Sequence, residues 1–109
     1  MRHLLITLIA VVIVACGSEQ ESKPEPKVEK KEFTDSQLNN MYKTQCSICH
    51  GMDGKMGYAG SKDLTQSEMN IAQRKAIIKY GKGQMTPFEG RLNDAEIEAM
   101  AKYLNKFRE

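Results

Sequence analysis

Three side chains able to do chemistry stand together in the run Cys46-Ser47-Ile48-Cys49-His50. Two thiols separated by two residues, with an imidazole directly after them, have the spacing of c-type haem attachment. On a helical backbone the two sulfurs match the separation of the macrocycle's vinyl groups, and the next side chain projects its imidazole at the iron. The chemistry expected is covalent capture of one haem through Cys46 and Cys49, with His50 as an axial ligand. Rival uses of the same residues ask for more than the sequence supplies. A thioredoxin-like redox pair belongs in a βαβ setting, and a zinc ribbon requires a second cysteine pair. The remaining cysteine, Cys16, lies in a different context near the N-terminus. A plain disulfide in an exported protein would explain neither His50 nor the glycines that follow it.

An iron held by one imidazole needs a sixth ligand or keeps an open position. Met85 is the candidate, in the glycine-rich run Gly81-Lys82-Gly83-Gln84-Met85-Thr86-Pro87-Phe88, where Pro87 can fix the approach of the thioether. Met52 and Met56 follow His50 too closely to reach the opposite haem face. Met69 falls at the expected start of a helix, and Met100 lies on an apolar helical stripe that reads as core. An imidazole and a thioether together favour ferrous iron and raise the reduction potential relative to two imidazoles. A saturated iron has no room for substrate, so the expected activity is single-electron transfer rather than catalysis. The alternative is a haem enzyme or gas-sensing domain in which the sixth position stays open.

These groups require helices to hold them. Thr34 or Asp35 can cap a helix carrying Leu38, Met41, Tyr42 and Gln45, which delivers Cys46 to the cofactor. From Gly51 to Gly60 there is no apolar period, so that span reads as loop. A second helix is expected from about Glu68 to Tyr80, burying Ile71, Ile77 and Ile78, with Gly81 ending it in the left-handed conformation. In the last helix Asn93 as cap and Glu96 three residues on approximate a capping box. Ile97, Met100, Ala101, Leu104 and Phe107 form its apolar stripe. No strand pattern appears in this part of the chain, so the fold class expected is all-α.

With both candidate ligands in context, Asp35 to Phe107 resembles the class I cytochromes c. The resemblance rests on the haem motif with Gly51, an Asp53-Gly54-Lys55 loop, Asp63-Leu64-Thr65, the Ile77-to-Gly81 helix end, Met85-Thr86-Pro87-Phe88, and Leu92 to Ile97 opening the final helix. It implies three to four helices around one covalent haem c, His50 and Met85 as axial ligands, and electron transfer through the exposed haem edge. Tyr103 resembles the aromatic with which the last helix of that class meets the first. Two positions depart from the pattern. Leu38 stands where many members have a glycine at the helix crossing. Lys62 stands where members tend to have a proline whose carbonyl accepts the proximal imidazole proton.

The N-terminal third reads as address and tether. Arg2 and His3 precede Leu4 to Val14, an apolar run of secretory-signal length and well short of the about 20 residues that span a bilayer. Ile13-Val14-Ala15-Cys16 resembles a bacterial lipobox, which implies lipidation of Cys16 after removal of residues 1–15. Gly17 to Glu32 is rich in Glu, Lys and Pro and has almost nothing to bury, so residues 16–32 are expected to form a disordered tether. Residues 33–109 then form the cytochrome domain, near the size at which a core alone supplies only a few kcal/mol and a bound macrocycle would help. The 109-residue chain carries sixteen Lys and Arg against fourteen Asp and Glu, a net charge of +2 too balanced for nucleic-acid binding. Lys79 and Lys82, just before Met85, are the basic cluster to watch for docking, although lysines near a helix C-terminus have a simpler dipole explanation. The expected place is an exported, membrane-anchored lipoprotein facing the periplasm or cell exterior. Expected partners are a quinol-oxidising complex and a terminal oxidase or reductase.

Overall fold

A computed structural model describes residues 31–109, so Cys16, the apolar run before it and most of the expected tether lie outside the described residues. Four α-helices appear among them: α1 (Asp35–Gln45), α2 (Ser47–His50), α3 (Ile71–Tyr80) and α4 (Asp94–Tyr103). Short 3₁₀ turns lie at Tyr58–Gly60, Leu64–Gln66 and Leu104–Arg108. Among the described residues the only β pairing is two isolated bridges, Lys82 with Met85 and Glu89 with Leu92. The all-α expectation holds.

Each long helix begins with a reciprocal cap, which satisfies backbone donors that the helix itself leaves free. Thr34 Oγ1 accepts from Gln37 N at 3.3 Å, while Gln37 Oε1 accepts from Thr34 N at 2.9 Å. Asn93 and Glu96 do the same for α4 at 2.9 and 2.8 Å, as expected from their spacing. The third cap corrects the expected start of α3. Asn70 and Gln73 bond each other's backbone at 2.9 Å in both directions, so the helix begins at Ile71 and Met69 lies before it.

The core is Leu38 and Tyr42 of α1, Ile78 of α3, Phe88, and Ile97, Met100, Ala101 and Tyr103 of α4. Ile97 and Met100 are almost completely buried, and each such side chain stabilises the fold by roughly 1.5–3 kcal/mol. Tyr103 joins the last helix to the first as expected: its hydroxyl donates to Asn39 Oδ1 at 3.1 Å, and its ring lies 6.3 Å from that of Tyr42. Leu38 is buried at this crossing. On α3, Ile78 is buried whereas Ile71 and Ile77 are only half-buried.

The buried position that hydrophobic periodicity misses is Arg74, 5% exposed. Its Nη1 donates to the Ala101 carbonyl at 3.2 Å and to Asn105 Oδ1 at 2.6 Å. It thereby tends a carbonyl in the last turn of α4, where the helix tightens into 3₁₀. Nε and Nη2 of the same guanidinium are buried without a partner. Burial, and then the nearby charge of Arg108, lower its pKa from the ordinary arginine value.

Candidate functional site

The backbone from α1 to α2 is nearly one helix, interrupted at Cys46. Cys46 N donates to Tyr42 O at 2.9 Å and so closes α1. Cys46 O then accepts from His50 N at 3.0 Å and so opens α2. Both thiols and the imidazole therefore lie within one helical turn, the local conformation their spacing calls for. Cys46 and Cys49 are free thiols, both half-buried. Burial pushes the Cys46 thiol up to about 11, so it is held protonated at neutral pH.

Four contacts fix the end of α2. Cys49 O accepts from Ser61 Oγ at 2.6 Å, His50 O from Met56 N at 3.0 Å, and Gly51 O from the buried Tyr42 hydroxyl at 2.7 Å. These are carbonyls that a helix terminus leaves open. The fourth contact is on the side chain: His50 Nδ1 lies 3.0 Å from Lys62 O. A carbonyl only accepts, so Nδ1 carries the proton and Nε2 is the nitrogen whose lone pair the neutral ring would offer. The identity of the side chain at position 62 does not enter this bond, because the main chain makes it.

The chain turns sharply enough to bring these partners back. Gly51, at φ +76°, has no room for a side chain: a Cβ there would stand 2.9 Å from Met56 Cβ. Leu64 N donates to Gly54 O at 2.9 Å and closes the loop. Ala59 adopts φ +51°, an uncommon conformation for a residue with a side chain.

The Met85 segment is built differently. It leaves α3 at Gly81 (φ 74°, ψ 171°), which has the positive φ expected but an extended ψ in place of the left-handed helical one. The reason is close packing: a Cβ on Gly81 would lie 2.4 Å from Met85 O and 3.0 Å from Pro87 N. Lys82 and Met85 then exchange backbone hydrogen bonds at 3.2 and 3.1 Å. Phe88 N and Glu89 N return to Ile78 O and Lys79 O at 3.0 Å each. Phe88 is buried, and Met85 is half-buried against the core.

One member of the expected basic cluster is ion-paired. Lys79 Nζ lies 2.8 Å from Asp94 and 4.0 Å from Glu89, and the hydrogen bond to Asp94 raises its pKa. Lys82 is left as the exposed member of the pair. Sequence reasoning did not foresee the roles of Ser61 or the Tyr42 hydroxyl. A phenol within an apolar helical stripe was the one available signal.

Residues 33–104 match the protein family described as "Cytochrome C oxidase, cbb3-type, subunit III". The chain belongs to this family of c-type cytochromes. It is 27% identical to cytochrome c-551 of Bacillus subtilis over 99 residues, 90% of this chain and 87% of that protein. It is also 35% identical over 68 residues to the dihydro-heme d1 dehydrogenase of Pseudomonas aeruginosa. That alignment covers 59% of this chain and only 14% of the dehydrogenase. The cofactor the family implies is haem c, and the function it supports is haem-based electron transfer. Among the described residues no helix is long and apolar enough to cross a membrane.

Proposed function

We propose that this cytochrome is a single-haem electron carrier, with the cofactor bonded covalently to Cys46 and Cys49 and its iron held between His50 and Met85. The observation that carries the reading is the imidazole of His50: its Nδ1 is committed to Lys62 O at 3.0 Å, beside two free thiols on the same helical turn. The donor set fits the group. Two thiols can take the two vinyl carbons, Nε2 is the nitrogen available to a metal, and the half-buried Met85 offers a soft sulfur. When bound, the haem supplies a one-electron ferric/ferrous couple, and a thioether opposite an imidazole favours the ferrous state.

The protein's own contribution is to hold its donors still. Outer-sphere transfer is fast when little rearranges between the two oxidation states, and the four contacts at the end of α2 restrain His50 in position and tilt. The hydrogen bond from Nδ1 also raises the basicity of the ring and so tunes the metal. Residues 1–15 are proposed as an export signal, Cys16 as a lipid anchor and residues 16–32 as a tether. Residues 33–109 would form the domain that moves electrons near the membrane surface, outside the cytoplasm. Its redox partners would be a quinol-oxidising complex and a terminal oxidase or reductase.

A second reading, an enzymatic or gas-sensing haem with an open sixth position, draws on the similarity to a dehydrogenase. The chain spans 14% of that protein, which suits an electron-delivering segment better than a whole catalytic unit. The deciding experiment is expression with c-type maturation machinery, followed by intact mass and a visible spectrum. The carrier reading expects the added mass of one haem and the weak far-red charge-transfer band of thioether-ligated ferric haem. Met85→Ala should abolish that band and admit carbon monoxide rapidly. A colourless product of unmodified mass would overturn covalent attachment. A coloured product that lacks the band and binds carbon monoxide at once would favour the second reading.

A further inference from the structure

The backbone of the loop from Gly81 to Leu92 is hydrogen-bonded to one neighbouring element only, among the described residues. Its backbone anchors run to α3, from Gly81 N to Ile77 O, Phe88 N to Ile78 O and Glu89 N to Lys79 O. Toward the half of the molecule that carries Cys46, Cys49 and His50, a single hydrogen bond from this loop exists among the described residues. Arg91 Nη2 donates to Gln45 Oε1 at 3.0 Å. Gln45 is the last residue of α1 and directly precedes Cys46. The Arg91 guanidinium also lies over the ring of the buried Phe88, 5.0 Å from its centroid, and a cation over an aromatic face is held there electrostatically. The side chain is therefore fixed at its base by Phe88 and at its tip by Gln45, across 46 positions of sequence.

We propose that Arg91 and Gln45 form a latch that closes the Met85 loop onto the thiol-bearing end of α1, making Arg91 a positioning residue for the sixth ligand. This rests on the reading of Met85 as that ligand. The loop backbone hangs from α3, and among the described residues α3 has no hydrogen bond of its own to the half that holds His50. Outward motion of the loop is then opposed by apolar contact and by this one polar link. When the link opens, the loop can move away from the end of α1 together with the C-terminal end of α3, to which Phe88 and Glu89 stay bonded.

The test compares wild type, Arg91→Ala, Gln45→Ala, the double variant, Gln45→Glu and Lys82→Ala as haem-loaded protein. Two readouts are taken: amide hydrogen exchange across residues 82–92, and the rate at which carbon monoxide replaces the sixth ligand of the ferrous form. Either alanine variant should speed both by about fivefold, the factor given by an interaction contributing ~1 kcal/mol. The double variant should match Arg91→Ala, because the link to Gln45 is already lost there and Gln45→Ala removes nothing further. Gln45→Glu replaces a neutral acceptor with a charged one and should slow both processes. Lys82→Ala, whose side chain makes no hydrogen bond to α1, should behave as wild type. The latch is overturned if loop exchange is unchanged in Arg91→Ala. It is equally overturned if amides of α4 accelerate by the same factor as the loop, since Arg91 would then be a general stabiliser. Failure of the ligand reading is separate: wild type would lack the far-red band, while exchange of the loop would still report on the latch.

Discussion

The two sides of the candidate site are held by different means. Around His50, a stretch running from Tyr42 to Leu64 supplies its own restraints: hydroxyl and amide donors reach Cys49 O, His50 O and Gly51 O, and a carbonyl takes the imidazole proton. Around Met85, the loop is pinned at its two ends to α3 and crosses to the other half through one exposed side-chain hydrogen bond. A pinned nitrogen donor and a more loosely tethered sulfur donor have different tolerances. The first side is expected to hold its geometry when the Met85 loop opens locally, and under the proposed reading the second is where ligand exchange would begin. Proteins open locally where few restraints hold a segment, well below the free energy of global unfolding.

The comparison can be broken hardest at Gly81. Gly81→Ala places a Cβ 2.4 Å from Met85 O at φ +74°, so backbone must shift, and a loss of about 3 kcal/mol or more is expected by denaturant unfolding. The far-red band should disappear at lower denaturant concentration than the helical signal does. Gly83, at φ +60° with nothing within 4 Å of a Cβ, is the control, and Gly83→Ala should cost only about 1 kcal/mol. If the two variants behave alike, crowding at Gly81 is not what shapes the loop.

On the other side, Tyr42→Phe removes the 2.7 Å donor of the buried Gly51 carbonyl, which keeps the Gly54 amide at 3.2 Å, for an expected loss of about 1.5 kcal/mol. Ser61→Ala should lower stability less, by about 1 kcal/mol, because its hydroxyl is only partly buried. It should also raise the reduction potential: loosening the turn weakens the neighbouring Lys62 acceptor, and a less basic imidazole stabilises ferric iron less. Potentiometry beside thermal unfolding separates the two effects, and a potential that stays put would remove Ser61 from the positioning set.

The smallest effect concerns the support of the Met85 side, where Lys75 of α3 and Lys102 of α4 both hold Glu98. Hydrogen bonds from Lys102 and then Lys75 lower the Glu98 pKa from 4.5 to about 2. A carboxylate depressed in the folded state stabilises it above the ordinary value, and that contribution fades as pH falls from 4.5 through about 2. Thermal melts of wild type and Glu98→Gln should therefore converge toward pH 2, with a modest gap at neutral pH because the group is exposed.

Much of the scaffold was readable because its signals are local. Asn93 with Glu96 announces the start of α4 through a three-residue spacing, and the haem motif carries its own helical turn. The start of α3 was misjudged by giving weight to Glu68 when Asn70 and Gln73 hold the reciprocal cap. Arg74 was illegible for a different reason: a count of apolar side chains at helical spacing has no place for a guanidinium, yet its aliphatic stem and two acceptors let it sit against α4. Lys62 was placed through the resemblance, but a carbonyl has no residue type, so the bond to His50 could not be read from the side chain. The hydroxyls of Ser61 and Tyr42, and the reach of Arg91 to Gln45, join residues that only the folded chain brings together. Lys79 looked free in sequence because Asp94, its partner, lies 15 positions away.

The restraints on His50 also have an order in time. Every described group that bonds the carbonyls of Cys49, His50 and Gly51 or the His50 ring comes from a short, continuous stretch ending at Lys62. Closing so small a loop has a low entropic cost compared with bringing distant helices together. Under the proposed reading, a chain emerging from its N-terminus can thus shape the place where the two thiols would take the haem before α3, Met85 or α4 has been made. Attachment of the proposed haem and completion of the fold would then be separable steps, with the proposed methionine ligand arriving last.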